Sequence, residues 1–129
     1  MDQVEPPPLS DAQLEIMNVV WDRGETTVGE IWHALSRRRP VARNTVQTLV
    51  TRLEEKGWLA HTAEGAVFRY RALYPRKATL QQIVRRLVDT AFGGSTEGLV
   101  LTLLEDDRLS GREAEQIRAI IERAERSGP

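Results

Sequence analysis

Ser10-Asp11-Ala12-Gln13, Thr27-Val28-Gly29-Glu30 and Ser110-Gly111-Arg112-Glu113 each carry the Ser/Thr-x-x-Glu/Gln signature of a helix capping box. In such a box the hydroxyl accepts the third helical amide and the Glu or Gln side chain reaches back to the amide of the cap residue, so three helix starts are fixed locally. After the first, Ile16, Met17, Val20 and Trp21 recur at helical spacing as far as Gly24, with Leu9 placed as a hydrophobic staple. After the second, Val28, Ile31, Trp32 and Leu35 form one apolar stripe that stops in Arg37-Arg38-Arg39-Pro40. Proline disfavours a helical conformation in the residue before it, so this is a basic turn.

A further segment, from about Ala42 to Lys56, carries Val46, Leu49, Val50 and Leu53 at i, i+3, i+4, i+7 and ends at Gly57, where a left-handed cap needs glycine. Its β-branched residues make a strand the competing reading, but Val46-Gln47-Thr48-Leu49-Val50-Thr51 does not alternate, and spacing decides for a helix. Trp58 to Thr62 and Val67 to Leu73, joined through Gly65, are expected to form a hairpin. Three helices followed by a two-stranded hairpin is the order of a winged helix-turn-helix.

Beyond Pro75-Arg76-Lys77, one stripe runs through Leu80, Ile83, Val84, Leu87, Val88, Ala91 and Phe92. Leu99-Val100-Leu101-Thr102-Leu103-Leu104 is nearly all apolar, and Ile117, Ile120, Ile121 and Ala124 follow the last capping box. These amphipathic pieces are too few to bury their own surface, and a second copy of the chain is the simplest partner, with folding back on the N-terminal unit as the alternative. The expected class is mainly α with a small β-hairpin. Residues 1–8 read as a disordered, proline-rich tail, 9–75 as a winged-helix DNA-binding domain and 76–126 as a helical dimerisation domain.

The chain has 129 residues and no cysteine, which excludes a disulfide framework, a thiolate metal site and cysteine catalysis. No apolar run is long enough to span a bilayer and the N-terminus has no signal-peptide pattern, so no membrane insertion is expected and the cytoplasm is the expected compartment. Net charge is −1, but it is unevenly spread: residues 1–35 carry −6, residues 36–77 carry +7 and residues 78–129 carry −2. A cationic stretch between acidic flanks suits a polyanion-binding surface, because phosphate contacts need Arg and Lys only where the duplex lies.

On the 42–56 helix, the face opposite the apolar stripe holds Asn44, Gln47, Thr48 and Thr51, with Arg43 and Thr45 at its N-terminal end and Arg52 alongside. Asn and Gln match adenine edges, Arg matches guanine, threonine methyls match the thymine methyl, and a helix N-terminus favours phosphate. Glu54 and Glu55 lie at the far end, away from the phosphates. Arg37, Arg38 and Arg39 in the turn and Arg69 and Arg71 on the second hairpin strand are the expected phosphate contacts. Phe68 and Tyr70 are expected to pack inward and the two arginines outward. The alternative for the arginines is protection of an edge strand against aggregation.

His33 and His61 are too dispersed for a metal site and read as surface or boundary residues, and Glu105-Asp106-Asp107 reads as a solvated turn. Neither a metal nor another cofactor is expected. No nucleophile, base and orienter stand in a known motif, so no enzyme is expected. A ligand-sensing winged-helix regulator and a winged helix that binds protein stay open as alternatives to DNA readout.

Leu9-Ser10-Asp11-Ala12-Gln13-Leu14-Glu15-Ile16-Met17 with Trp21, and Asn44 through Gly57, resemble the penicillinase repressor family of the BlaI/MecI/CopY type, as do Phe68-x-Tyr70 and the Leu99–Leu104 segment. The resemblance covers residues 9–124. It implies a homodimeric winged-helix repressor that sits on a palindromic DNA operator and leaves it on a signal. Dimerisation is expected on the apolar positions of the C-terminal segments, Leu80, Ile83, Val84, Leu87, Leu99, Val100, Leu103, Leu104, Ile117, Ile120 and Ile121. In β-lactam systems a membrane-bound sensor protease triggers cleavage in that domain. The matching bond here is Thr102–Leu103, without the Asn-Phe pair of the staphylococcal members. The copper-responsive branch, with its cysteine cluster, is excluded.

Overall fold

The computed structural model describes residues 6–127. Its elements are α1 (Asp11–Arg23), β1 (Glu25–Thr26), α2 (Val28–Ser36), α3 (Arg43–Glu55), β2 (Leu59–Glu64), β3 (Val67–Ala72), α4 (Arg76–Thr90), α5 (Thr96–Leu104) and α6 (Gly111–Ser127). Residues up to Leu80 form one compact unit and those from Gln81 another, so the division falls within α4.

The helix starts follow the capping chemistry. Gln13 N–H donates to Ser10 Oγ at 3.2 Å and Ser10 N–H to Gln13 Oε1 at 3.0 Å. The same exchange joins Thr27 to Glu30 and Ser110 to Glu113. The Glu30 carboxylate also accepts the Thr26 hydroxyl. These bonds, the Thr27 amide foremost, hold its pKa below the usual carboxylate value. α5 starts on a cap that the sequence reading did not single out, Ser95 Oγ accepting from Gly98 N–H at 2.9 Å.

One core fills the first unit. Ile16, Met17 and Val20 of α1, Val28, Ile31 and Leu35 of α2, and Val46, Val50 and Leu53 of α3 meet Trp58, Leu59 and Tyr70 from the sheet side. Despite its β-branched residues, the third segment is helical because only a helix puts Val46, Val50 and Leu53 on one buried face.

The sheet has a strand beyond the expected hairpin. Its order is β1-β3-β2, all antiparallel, with Glu25 opposite Arg71 and Thr26 opposite Tyr70. Two residues between Gly24 and the Thr27 cap are too few to show a period, so β1 leaves no pattern in the sequence. As a result β3 is the central strand, and protection of an exposed edge no longer accounts for Arg69 and Arg71. Across the hairpin, Glu64 pairs with Val67 and leaves a two-residue turn in which Gly65 takes φ 62°, as the first turn position of a tight hairpin requires.

Phe68 departs from expectation. Tyr70 is buried, at 3% exposure, whereas Phe68 on the same strand face is 46% exposed. The helical core reaches only the base of the hairpin, so near its tip Phe68 stacks on His61, with ring centroids 4.1 Å apart, instead of entering the core.

Each of the three tryptophans donates its indole N–H to a main-chain carbonyl. Trp32 binds Val41 O at 2.8 Å and fixes the turn before α3. Trp21 binds Tyr74 O at 2.9 Å and Trp58 binds Pro7 O at 3.0 Å. Of the segment read as a disordered tail, residues 1–5 lie outside the described residues, while Pro7 is tied down by Trp58, whose buried donor needs an acceptor.

In the second unit and the start of α4, large apolar side chains face solvent: Leu80, Ile83, Val84 and Leu87 on α4, Leu101, Leu103 and Leu104 on α5, and Ile120 and Ile121 on α6. Leu99, Val100 and Ile117 are half-buried and Val88 is buried. Among the described residues no helix is long and apolar enough to cross a membrane.

Leu53 is fully buried where α3 meets the sheet. Leu53→Ala is expected to destabilise the first unit by about 2–5 kcal/mol, read by denaturant unfolding followed through tryptophan emission.

Candidate nucleic-acid interface

The buried stripe of α3 turns its opposite face outward, and Asn44, Gln47, Thr48, Thr51 and Arg52 are all exposed on it. Gln47 Nε2 donates to Thr51 Oγ1 at 3.3 Å, and the Thr48 hydroxyl donates back to the Asn44 carbonyl at 2.9 Å. Two of the four polar side chains are therefore joined in a row along the helix. Thr45 is exposed in the first turn.

The start of α3 differs from those of α1, α2, α5 and α6. Its cap residue is Ala42, which offers no side-chain acceptor, whereas the other four begin on Ser or Thr. The leading amides of α3 thus keep the partial positive charge that binds an anion. Arg43 adds a full charge there, its Nη2 lying 3.9 Å from where a Cβ would stand on Gly29 in the first turn of α2.

The far end of α3 is tied to the hairpin. Glu54 Oε2 lies 2.6 Å from His61 Nδ1 on β2. This contact draws the carboxylate away from the exposed polar face, as its place at the end of the helix suggested. His61 in turn stacks on Phe68 and lies 5.5 Å, centroid to centroid, from the Tyr70 ring. The Tyr70 pKa is raised, first by burial and then by the Glu54 carboxylate, with the Gln47 amide partly offsetting them. Glu54, His61, Tyr70 and Gln47 thus form one polar cluster between the helix and the wing. The sequence showed them as separate residues, because β2 and β3 meet α3 only through the fold.

The arginines do not form a single group. Arg39 makes a two-pronged contact with Glu15 of α1, at 2.8 and 3.4 Å. Arg38 lines the groove between α1 and α2 with Glu15 and Asp22. Arg69 lies between Glu25 at 3.6 Å and Glu64 at 4.0 Å, and Arg71 donates to Thr62 Oγ1 at 3.4 Å. Among the described residues, Arg37, Arg43, Arg52 and Arg71 have no carboxylate within 4.0 Å. The cationic surface is thus reduced to part of the basic stretch, with Arg43 and Arg52 on α3 itself.

The penicillinase repressor family model matches residues 9–123, nearly the whole chain. The chain belongs to the penicillinase repressor family. It is 33% identical to the penicillinase repressor of Bacillus licheniformis over 116 residues, spanning 90% of this chain and 91% of that one. The DNA-binding domain of the repressor BlaI superposes with a TM-score of 0.52 at 35% identity, covering 57% of this chain and 90% of that structure. The monomeric form of Bacillus licheniformis BlaI, solved in complex with the blaP half-operator, superposes with a TM-score of 0.50 at 36% identity, covering 57% and 89%. The family is one of transcriptional repressors, and the first unit has its winged-helix fold.

Tyr70 yields a pH prediction. Its folded pKa lies above the ordinary value of 10.0, so the folded protein keeps the phenol proton while the unfolded chain releases it. This contribution to stability is complete below pH 10.0 and is lost as pH rises through the folded pKa. Unfolding free energies measured across this range should fall less steeply for Tyr70→Phe than for the unmodified protein. Equal slopes would contradict the assignment.

Proposed function

We propose that this protein is a sequence-specific transcriptional repressor that acts as a homodimer on a palindromic operator and releases it on a signal. The observation that carries this reading is the exposed row Asn44, Gln47, Thr48 and Thr51, behind an uncapped helix start, in a fold shared with a relative solved on its half-operator. In this reading residues 9–75 are the DNA-binding domain. α3 enters the major groove N-terminus first, Asn44 and Gln47 read base edges, and Thr45, Thr48 and Thr51 fit alongside. Arg43 and Arg52 meet flanking phosphates, Arg71 meets them from the wing, and Arg69, Arg38 and Arg39 reach them only by leaving their carboxylates or groove.

Residues 76–126 are assigned to dimerisation. Leu80, Ile83, Val84, Leu87, Leu103, Leu104, Ile120 and Ile121 are too many exposed apolar side chains for a monomer, and Leu99, Val100 and Ile117 complete the face. Two recognition helices related by a two-fold axis address half-sites about one helical turn, or a multiple of it, apart. The route of release implied by the resemblance is cleavage at Thr102–Leu103 through a membrane-bound sensor protease. This bond lies within α5, where the Thr102 hydroxyl donates to Gly98 O at 2.8 Å, so α5 must unwind to present it.

Selection of genomic fragments at near-physiological salt should enrich one two-fold-symmetric motif. Asn44→Ala/Gln47→Ala should lose it, at about 1–3 kcal/mol of discrimination per base contact. Enrichment of nothing beyond bulk DNA would remove the repressor reading. Truncation after Leu101 is expected to give a monomer by sedimentation, with operator binding lost at concentrations where the full chain binds. A dimeric truncation product would overturn the division of labour.

A further inference from the structure

Side chains on a strand alternate between the faces of a sheet, and the register places Glu25, Thr62, Glu64, Arg69 and Arg71 on the face opposite Tyr70. On this face Arg69 has a diagonal glutamate on each side. Glu25 belongs to the residue pair that holds Arg71, and Glu64 to the pair that holds Val67. The Arg69 Nε lies 3.6 Å from Glu25 Oε1 and 4.0 Å from Glu64 Oε2. The side chain of Arg69 is 35% exposed, while those of the glutamates are 60% and 75% exposed. The face therefore holds two arginines and two carboxylates. Its formal charge is zero although it lies in the basic stretch of the sequence.

We propose that Glu25 and Glu64 are affinity-setting residues that hold Arg69 in competition with DNA phosphate, making the wing's contact with any duplex weaker than its two arginines alone would give. The proposal rests on the DNA-binding reading. A phosphate that takes Arg69 must displace two carboxylates, whereas Arg71 donates to the Thr62 hydroxyl and, among the described residues, has no carboxylate within 4.0 Å, so taking it breaks no ion pair. Phosphate contacts carry no sequence information, so this competition acts on random DNA as well as on an operator. Its effect is to limit the share of protein lost to non-specific sites. β1, the strand without a sequence pattern, thereby supplies half of the control.

The test is binding of the full chain to a random-sequence duplex across a salt series, for the unmodified protein, Glu25→Gln/Glu64→Gln, and both backgrounds with Arg69→Ala. The double Gln variant should bind about fivefold more tightly, as expected for release of two exposed ion pairs. Its salt dependence should steepen by about one unit of log–log slope, the mark of one added phosphate contact. In the Arg69→Ala background the Gln changes should have less than half that effect. An equal gain without Arg69 would mean that net charge alone is responsible and would overturn the proposal, as would unchanged affinity and slope. The duplex has no operator, so these outcomes are separate from the fragment selection: a protein that enriches no motif but shows the Arg69-dependent gain loses the repressor reading and keeps this one.

Discussion

Val46, Val50 and Leu53 anchor α3 by burying one face of it completely, and the rest of the first unit is arranged around that burial. α1 and α2 supply the apolar floor, Trp58 and Leu59 close the end, and Tyr70 brings the wing against the helix. A helix held this way has no rotational freedom about its axis without exposing a valine or drawing a polar side chain into the core. The outward row of Asn44, Gln47, Thr48 and Thr51 is therefore set by packing on the opposite side.

How much of this the sequence disclosed depended on whether the signal was local. Capping boxes act within four residues, so the starts of α1, α2 and α6 could be read from Ser10, Thr27 and Ser110. The helical stripe of α3 prevailed over its β-branched content for the same reason, since the spacing is itself local. What escaped notice needs partners far along the chain. β1 exists only because β3 lies beside it, and Phe68 is exposed because the core ends before the wing does. The exposed row on α3 was legible residue by residue. Its tie to the wing through Glu54 and His61 was not, and the pairing of Arg39 with Glu15 joins residues 24 positions apart.

The uneven charge along the sequence also has a folding role. Three of its acidic residues before position 36 meet cations from the basic stretch: Glu15 meets Arg39, Asp22 meets Arg76 at 2.6 Å, and Glu25 meets Arg69. Arg76 also lies 5.5 Å over the Trp21 ring and donates to the Asn18 carbonyl, so the start of α4 is fastened to α1 from two sides. Exposed pairs of this kind add little stability individually. Collectively they determine which arginines remain available, and they give α1 an electrostatic role in a surface it does not form.

Trp21, Trp32 and Trp58, and both tyrosines, Tyr70 and Tyr74, precede Pro75, so all of the chain's indole and phenol groups are in the first unit. Tryptophan and tyrosine absorption and emission therefore report on that unit alone, while α4, α5 and α6 contain no aromatic side chain and are seen only in the far ultraviolet. Each indole is hydrogen-bonded to a different stretch of backbone, at Pro7, Val41 or Tyr74, which makes the three emitters natural probes of separate loosening events. Comparing the emission transition, which belongs to the first unit, with the far-ultraviolet transition, which sums both, separates the two halves of the chain without attaching a label.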